Sequence, residues 1–376
     1  MSTFDTADRL SYNPRMVGTV TPSSILIIRL SSIGDVVRTL PALTSLRQNY
    51  PKAHITWVVE DKSSGILEGH PYLDEVLVFE RKRIVRSLKN PLRFPEAVAL
   101  LIRFLSRLRS VKYDLAFDFH GILKSGLIAY LSHSPKRIGF KEGYVKEFSY
   151  FFTNLRIRPS DAGLPRVVRN LELIKQFVLP GNLTQRPALG VTDKHRAKAH
   201  KFIHDKLGDC HPLVAVHPGT SRPLKKWPLQ SFAALCDLLT QKLGARVILT
   251  WGPGEREEVE QIRSLTRTRP LIGMQTDSLL ELAALLELCE MMVTVDSGPM
   301  HIGSAMGTPV VAIFGPTDER INAPYWKPNR IVRSEVPCHP CDEDCVYAKC
   351  MEAVKPEDVL EAASELFKQE RPLRSR

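Results

Sequence analysis

Short apolar runs alternate along this chain with longer segments in which apolar residues recur every three or four positions. Ile25 to Leu30, Ile55 to Val59, Val76 to Phe79 and Leu115 to Phe117 are short and largely β-branched or aromatic, and predict buried strands. Val36, Val37, Leu40, Leu43 and Leu46 keep a helical period, with Pro41 expected to bend the helix. The second half repeats the alternation. Leu213 to Val216 predicts a strand, Leu229 to Leu243 a helix, Arg246 to Thr250 a strand, and Glu255 to Leu265 and Leu279 to Leu288 two helices. Val293 to Val295 and Val310 to Phe314 predict strands, and Pro356 to Gln369, which opens on proline and acids, a last helix. Buried strands alternating with helices imply a parallel sheet covered on both faces, here twice over. The polar, turn-prone GNLTQRP places the boundary near Pro180 to Pro187. The expected organisation is a tail at 1–22, a first domain at 23–183, a second at 184–355, and a C-terminal helix and tail at 356–376.

The most telling stretch is VTVDSGPMHIGSAMGTPVVAIFG, from Val293 to Gly315. Asp296, Ser297 and Gly298 form a tight turn, and Pro299 suits the first residue of a helix, where a missing N–H breaks no bond. A strand feeding straight into a helix aims free N–H groups and the positive dipole end at solvent, which favours phosphate. His301 on that helix is a ligand candidate or a hydrogen-bonded core histidine.

In open parallel sheets, ligands gather beyond the carboxyl ends of the strands. After the first strand, Ser31, Ser32, Ile33, Gly34 and Asp35 lack the GxGxxG pattern, so no dinucleotide fingerprint is present. Asp35 is a carboxylate at the mouth of a strand-to-helix turn, placed as a general base or as a helix cap. HPGTSRPLKKWP supplies Thr220, Ser221 and Lys225 or Lys226, groups able to bond diphosphate oxygens. WGPGE offers an aromatic face and Glu255, a carboxylate for ribose hydroxyls. Asp118, His120, Gly121 and Lys124 follow a first-half strand on the side of Asp35 and suit an anionic acceptor or a structural role. The first half thus offers a carboxylate and cations, the second phosphate ligands, with chemistry in the cleft between them.

The 376 residues fit two domains, with 43% hydrophobic and 25% charged residues as in ordinary globular chains. No apolar run spans a membrane and the first twenty residues lack a signal-peptide core, so the expected location is the cytoplasm. The net charge of +11 is concentrated between Arg81 and Lys112, where ten basic residues face one acid, Glu96. Val98, Leu101, Ile102, Leu105 and Leu108 add an apolar stripe at helical spacing. A basic amphipathic helix suits an anionic membrane surface, an acidic substrate or plain solvation. No nucleic-acid motif accompanies the charge, so nucleic acid is not expected as a partner. Cys338, Cys341, Cys345 and Cys350 form a thiol-rich run open to a metal site or to a reduced hairpin. Asp342 and Asp344 form a DxD inside that run and not after an apolar strand, so they are discounted.

Taken together, ILIIRLSSIGDVVRTLPAL, DFHGILKS, KRIGF, HPGTSRPLKKWP, VDSGPMHIGSAMGTPVVAIFGPTD and CxxC with the late CM resemble the heptosyltransferases of lipopolysaccharide synthesis, glycosyltransferase family 9. The resemblance covers about residues 24 to 365. It implies a GT-B fold, two doubly wound Rossmann-like domains facing across a cleft. It further implies an ADP-heptose donor in the second domain, an anionic lipid A and Kdo acceptor at the first, and inverting transfer without a divalent metal or other cofactor. By that resemblance Asp35 is the general base and Lys225 stabilises the leaving diphosphate. Thr220, Ser221, Glu255, Asp296, Ser297, Gly298, Pro299 and His301 are then expected at the donor. Ser32, Gly34, Arg81, Arg83, His120 and Lys124 are expected at the acceptor, with His120 standing where many relatives carry glutamine. The implied location is cytoplasmic and peripheral at the inner face of the inner membrane.

Overall fold

Five consecutive buried residues, Ser24–Ile28, form strand β1 at the middle of a six-stranded sheet. The computed structural model describes residues 21–208, 212–338, 341 and 348–374. After β1 come helices α1 (Ile33–Val37) and α2 (Leu40–Asn49), β2 (His54–Glu60), β3 (Glu75–Phe79), α3 (Arg81–Leu88), α4 (Phe94–Leu108), β4 (Leu115–Asp118), α5 (Leu123–Leu131), β5 (Lys136–Phe140), β6 (Leu155–Ile157) and α6 (Arg166–Ile174). The second half contains α7 (Asp193–Leu207), β7 (Leu213–His217), α8 (Leu229–Leu243), β8 (Arg246–Leu249), α9 (Arg256–Leu265), β9 (Leu271–Ile272), α10 (Leu279–Glu287), β10 (Met291–Val295), α11 (Gly298–Ala305) and β11 (Val310–Phe314). It closes with α12 (Glu319–Asn322), β12 (Asn329–Arg333), α13 (Lys349–Glu352) and α14 (Pro356–Arg374).

The strand orders are β3-β2-β1-β4-β5-β6 and β12-β11-β10-β7-β8-β9, every pairing parallel. Read from opposite edges these are one doubly wound order, with the chain reversing direction between β1 and β4 and again between β7 and β10. Side chains of β1 alternate between layers: Ile25 and Ile27 join the core that holds α2, while Leu26 and Ile28 pack with Phe104, Leu108, Ile128 and Ala129 of α4 and α5. Burial on both faces explains why β1, β7, β10 and β11 read as nearly continuous apolar runs.

The expected bent helix after β1 is two helices. α1 ends at Val37, and Pro41 occupies the first turn of α2, where it displaces no intrahelical bond. Pro299 likewise follows Gly298, the first helical residue of α11. The apolar stripe expected on α4 is displaced: Ala97, Leu100, Phe104 and Leu108 face the sheet, about a quarter turn from the stripe's centre. α14 packs Val359, Ala363 and Leu366 into the core of the second sheet, so the last helix completes that layer.

Candidate active site

The loops leaving β1 and β4 meet those leaving β7 and β10 around a cleft of about 920 Å³. On the first-domain side, Ser32 is the N-cap of α1 and Asp35 lies one turn in, accepting from the Ser32 N–H and hydroxyl at 3.3 Å each. Arg29 holds one Asp35 oxygen at 2.6 Å and Arg38 the other at 2.5 Å. Burial works to raise the Asp35 carboxyl, but Arg29, Arg38 and Arg166 outweigh it and hold it well below the usual carboxylate range. Asp35 is therefore ionised and fixed in orientation.

Beside it, His120 lines the cleft. Burial, then the nearby Arg29, pushes its ring down to about 3, so it is neutral at ordinary pH. Its Nδ1 accepts the Leu30 N–H at 3.3 Å, which leaves the proton on Nε2 as a donor. Asp118 shapes this loop by accepting from the His120 and Gly121 N–H groups and the Ser125 hydroxyl, each at 3.0 Å. Burial nevertheless lifts its carboxyl to about 6. Gly121 sits at φ +71°, where a side chain would also collide with Val145.

On the second-domain side, Thr220 and Ser221 line the cleft after β7. Buried His217 places Nδ1 3.1 Å from the Thr250 hydroxyl and Nε2 4.0 Å from Glu255. Glu255 accepts the Gly252 N–H at 2.7 Å, and a Cβ on Gly219 would overlap its carboxylate. Lys225 is ion-paired with buried Asp296, which also accepts from the Thr317 hydroxyl at 2.7 Å. Burial favours a neutral Asp296, yet Lys225 beside it keeps the carboxyl below its ordinary value. Ser297 caps α11 by accepting the Met300 N–H at 3.4 Å, so Ser297, Gly298 and Pro299 present the positive end of that helix to the cleft. His301 is buried behind them, its ring pushed down to about 3 by burial and by Arg38.

The two sides touch. A Cβ on Gly298 would lie 3.1 Å from that of Ile33 in α1, and one on Gly34 would overlap the His301 ring. Arg38, while holding Asp35, reaches the Asn322 side-chain oxygen at 3.2 Å.

Asp35, Lys225, Thr220, Ser221, Glu255, Asp296, Ser297, Gly298, Pro299, His301, Ser32, Gly34 and His120 thus come together around one cleft. Arg81, Arg83 and Lys124 do not line it. Lys124 pairs with Glu60, Arg81 lies 3.9 Å from the same carboxylate, and Arg83 of α3 is bound by Glu80 and by Glu96 of α4. Lys62, Lys146 and Arg166 line the first-domain wall instead. Nothing in their sequence surroundings marks them, since each stands in a polar loop or at a helix start. Arg29 and Arg38, by contrast, lie inside the ILIIRLSSIGDVVRTLPAL segment, Arg29 beside a fully buried strand where an unpaired cation would be out of place.

Among the described residues, no group of three or more His, Cys, Asp and Glu side chains is placed to hold a metal ion. Cys345, Asp342 and Asp344 lie outside the described residues. Cys338 is exposed, and Cys350 is buried against Gly315.

Two doubly wound domains whose switch-point loops face across a shared cleft define the GT-B architecture of glycosyltransferases. Residues 101–351 match the family model described as glycosyltransferase family 9 (heptosyltransferase), and the chain belongs to that family. It is 30% identical over 332 residues to a lipopolysaccharide heptosyltransferase 1 of Pseudomonas aeruginosa, covering 86% of this chain and 87% of that one. The fold is shared with the glycosyl transferase family 9 structure from Veillonella parvula, at TM-score 0.75, 23% identity and coverage of 92% and 97%. The Escherichia coli heptosyltransferase WaaC with ADP follows at TM-score 0.72, 24% identity and coverage of 91% and 99%. Among the described residues, no helix is long and apolar enough to cross a membrane.

Proposed function

We propose that this heptosyltransferase moves heptose from ADP-heptose to a sugar hydroxyl of the lipopolysaccharide inner core, with inversion and without a divalent cation. The observation that carries this reading is the opposition of Asp35 to Lys225 and the start of α11 across one cleft. Asp35 is the general base: it takes the proton as the acceptor hydroxyl attacks the anomeric carbon from the face opposite the diphosphate. Lys225 and the α11 N-terminus receive the charge that develops on the departing ADP. When a diphosphate arrives it competes with Asp296 for Lys225, and Asp296, still bonded to Thr317, keeps the ammonium aimed at the cleft. Glu255, against Gly219 and Gly252, is placed for ribose hydroxyls. Lys62, Lys146 and Arg166 suit an anionic acceptor.

Relatives support the donor. Solved Escherichia coli WaaC structures hold ADP and ADP-2-deoxy-2-fluoro heptose. The test is Asp35→Asn, assayed for ADP release with ADP-heptose and Kdo-bearing lipid A. Transfer should fall by about 10²–10⁴-fold while ADP still raises the melting temperature. Full activity in that variant would remove Asp35 from the base role, and activity only with a different nucleotide sugar would replace the donor.

A further inference from the structure

We infer that the α3–α4 hairpin is a docking surface for an anionic lipid bilayer. The apolar sector of α4 is wider than the sheet can cover. Ala97, Leu100, Phe104 and Leu108 fill the core, whereas Phe94, Val98 and Ile102, one turn apart along the flank, stay exposed, Phe94 by 54% and Ile102 by 61%. The connecting turn carries Leu92 at 92% exposure, and Val85 and Leu88 of α3 are exposed as well. Clustered apolar groups of this size on one hairpin mark a surface that something else covers.

The charge around them identifies the partner. Lys82, Arg86, Lys89, Arg93 and Arg103 are all exposed and none has an ion-pair partner among the described residues. Glu80 and Glu96, the acids of the hairpin, are both taken by Arg83. Apolar side chains ringed by unpaired cations match the acyl boundary and phosphate layer of an anionic leaflet. A second copy of this chain would set like charges against each other.

The layer continues into α5, which shares the core of α4 and accepts the Arg109 side chain on its Leu131 carbonyl at 3.1 Å. Leu123, Leu127 and Tyr130 are exposed there, as are neighbouring Phe148 and Phe151. α3 and α5 both start at the cleft end of the strands they follow, so a bilayer under this layer would lie beside the cleft mouth. This inference rests on the reading of a lipid-borne acceptor, for which that placement shortens the path into the site.

The experiment is co-sedimentation of the full chain with phosphatidylcholine vesicles, with or without phosphatidylglycerol at one part in three. Binding should be more than tenfold tighter to the anionic vesicles and should weaken at high salt. An apolar variant, Leu92→Ser with Phe94→Ser and Ile102→Ser, and a charge variant, Lys82→Gln with Arg86→Gln, Lys89→Gln and Arg93→Gln, should each lose at least tenfold. Both should keep wild-type transfer to a delipidated, soluble core acceptor. Wild-type vesicle binding by both variants, or equal wild-type binding to both vesicle types, would overturn the inference. So would a wild-type dimer in light scattering that Phe94→Ser dissociates. Loss of all transfer to the soluble acceptor by the wild type would instead count against the functional reading.

Discussion

Gly34 of α1 and His301 of α11 meet face to face across the cleft, so closely that the hydrogen of glycine is the only side chain the imidazole leaves room for. Gly34→Ala should therefore fold normally, since its backbone is helical, but hold the two domains apart. A fall of at least tenfold in kcat/KM is expected, with the melting temperature within a few degrees of wild type. Small-angle scattering with ADP should show a more open molecule, and Gly34→Ala with His301→Ala should close again.

Arg38 joins Asp35 to the opposite domain, bonding Asp35 with one nitrogen and Asn322 with another. Lysine cannot span both partners. In Arg38→Lys the charge is kept but the close guanidinium contact that helps depress the Asp35 carboxyl is lost, so its pKa rises and the acidic limb of the pH–rate profile moves to higher pH. A profile identical to wild type would separate Arg38 from the base.

Half-buried Lys225 is the ion-pair partner of buried Asp296, and removing the lysine strands the carboxylate. Lys225→Met should destabilise the protein by about 3–5 kcal/mol and lower kcat by about 10²-fold or more. Adding Asp296→Asn should recover much of the stability in urea denaturation but none of the rate. Recovery of both would reduce the pair to a structural role.

Acid should weaken the fold. His120 and His301 titrate near 3 when folded and near about 6.5 when unfolded, so in that interval the unfolded chain binds more protons. Their contribution to stability is whole above about pH 6.5 and is lost as pH falls toward 3. Asp118, raised to about 6, acts in the opposite sense between its unfolded value near 4 and 6, and offsets part of the loss. Urea midpoints should drop from pH 7 to pH 5, and drop less in His301→Gln.

The sheets were legible wherever strands are buried on both faces, because such strands are nearly continuous apolar runs. β5 opens with Lys136 and Arg137, β6 has three residues and β9 two, so none makes a run long enough to see. α7 was invisible for a related reason: in DKHRAKAHKFIHDKL only Ala199 is fully buried, leaving no apolar stripe to count. At the site, the residues on switch-point loops could be found from strand–turn–helix pattern and motif. Lys62, Lys146 and Arg166 reach the cleft from elements distant in sequence, and only the folded topology brings them there. The basic segment was visible as charge, but which of its apolar residues face outward depends on how α4 is rotated over the sheet.

Both sheets have the same doubly wound order, so the molecule is two copies of one topology meeting mouth to mouth, joined among the described residues by the chain crossing between α6 and α7. Neither copy holds the whole proposed set of reacting groups: Asp35, the proposed base, belongs to one and Lys225, the proposed leaving-group cation, to the other. On the proposed reading, such a split would let each half change under separate selection, the first altering which hydroxyl is modified while the second goes on handling the same activated sugar. Exchanging residues 24–174 between relatives should transfer acceptor choice as a module.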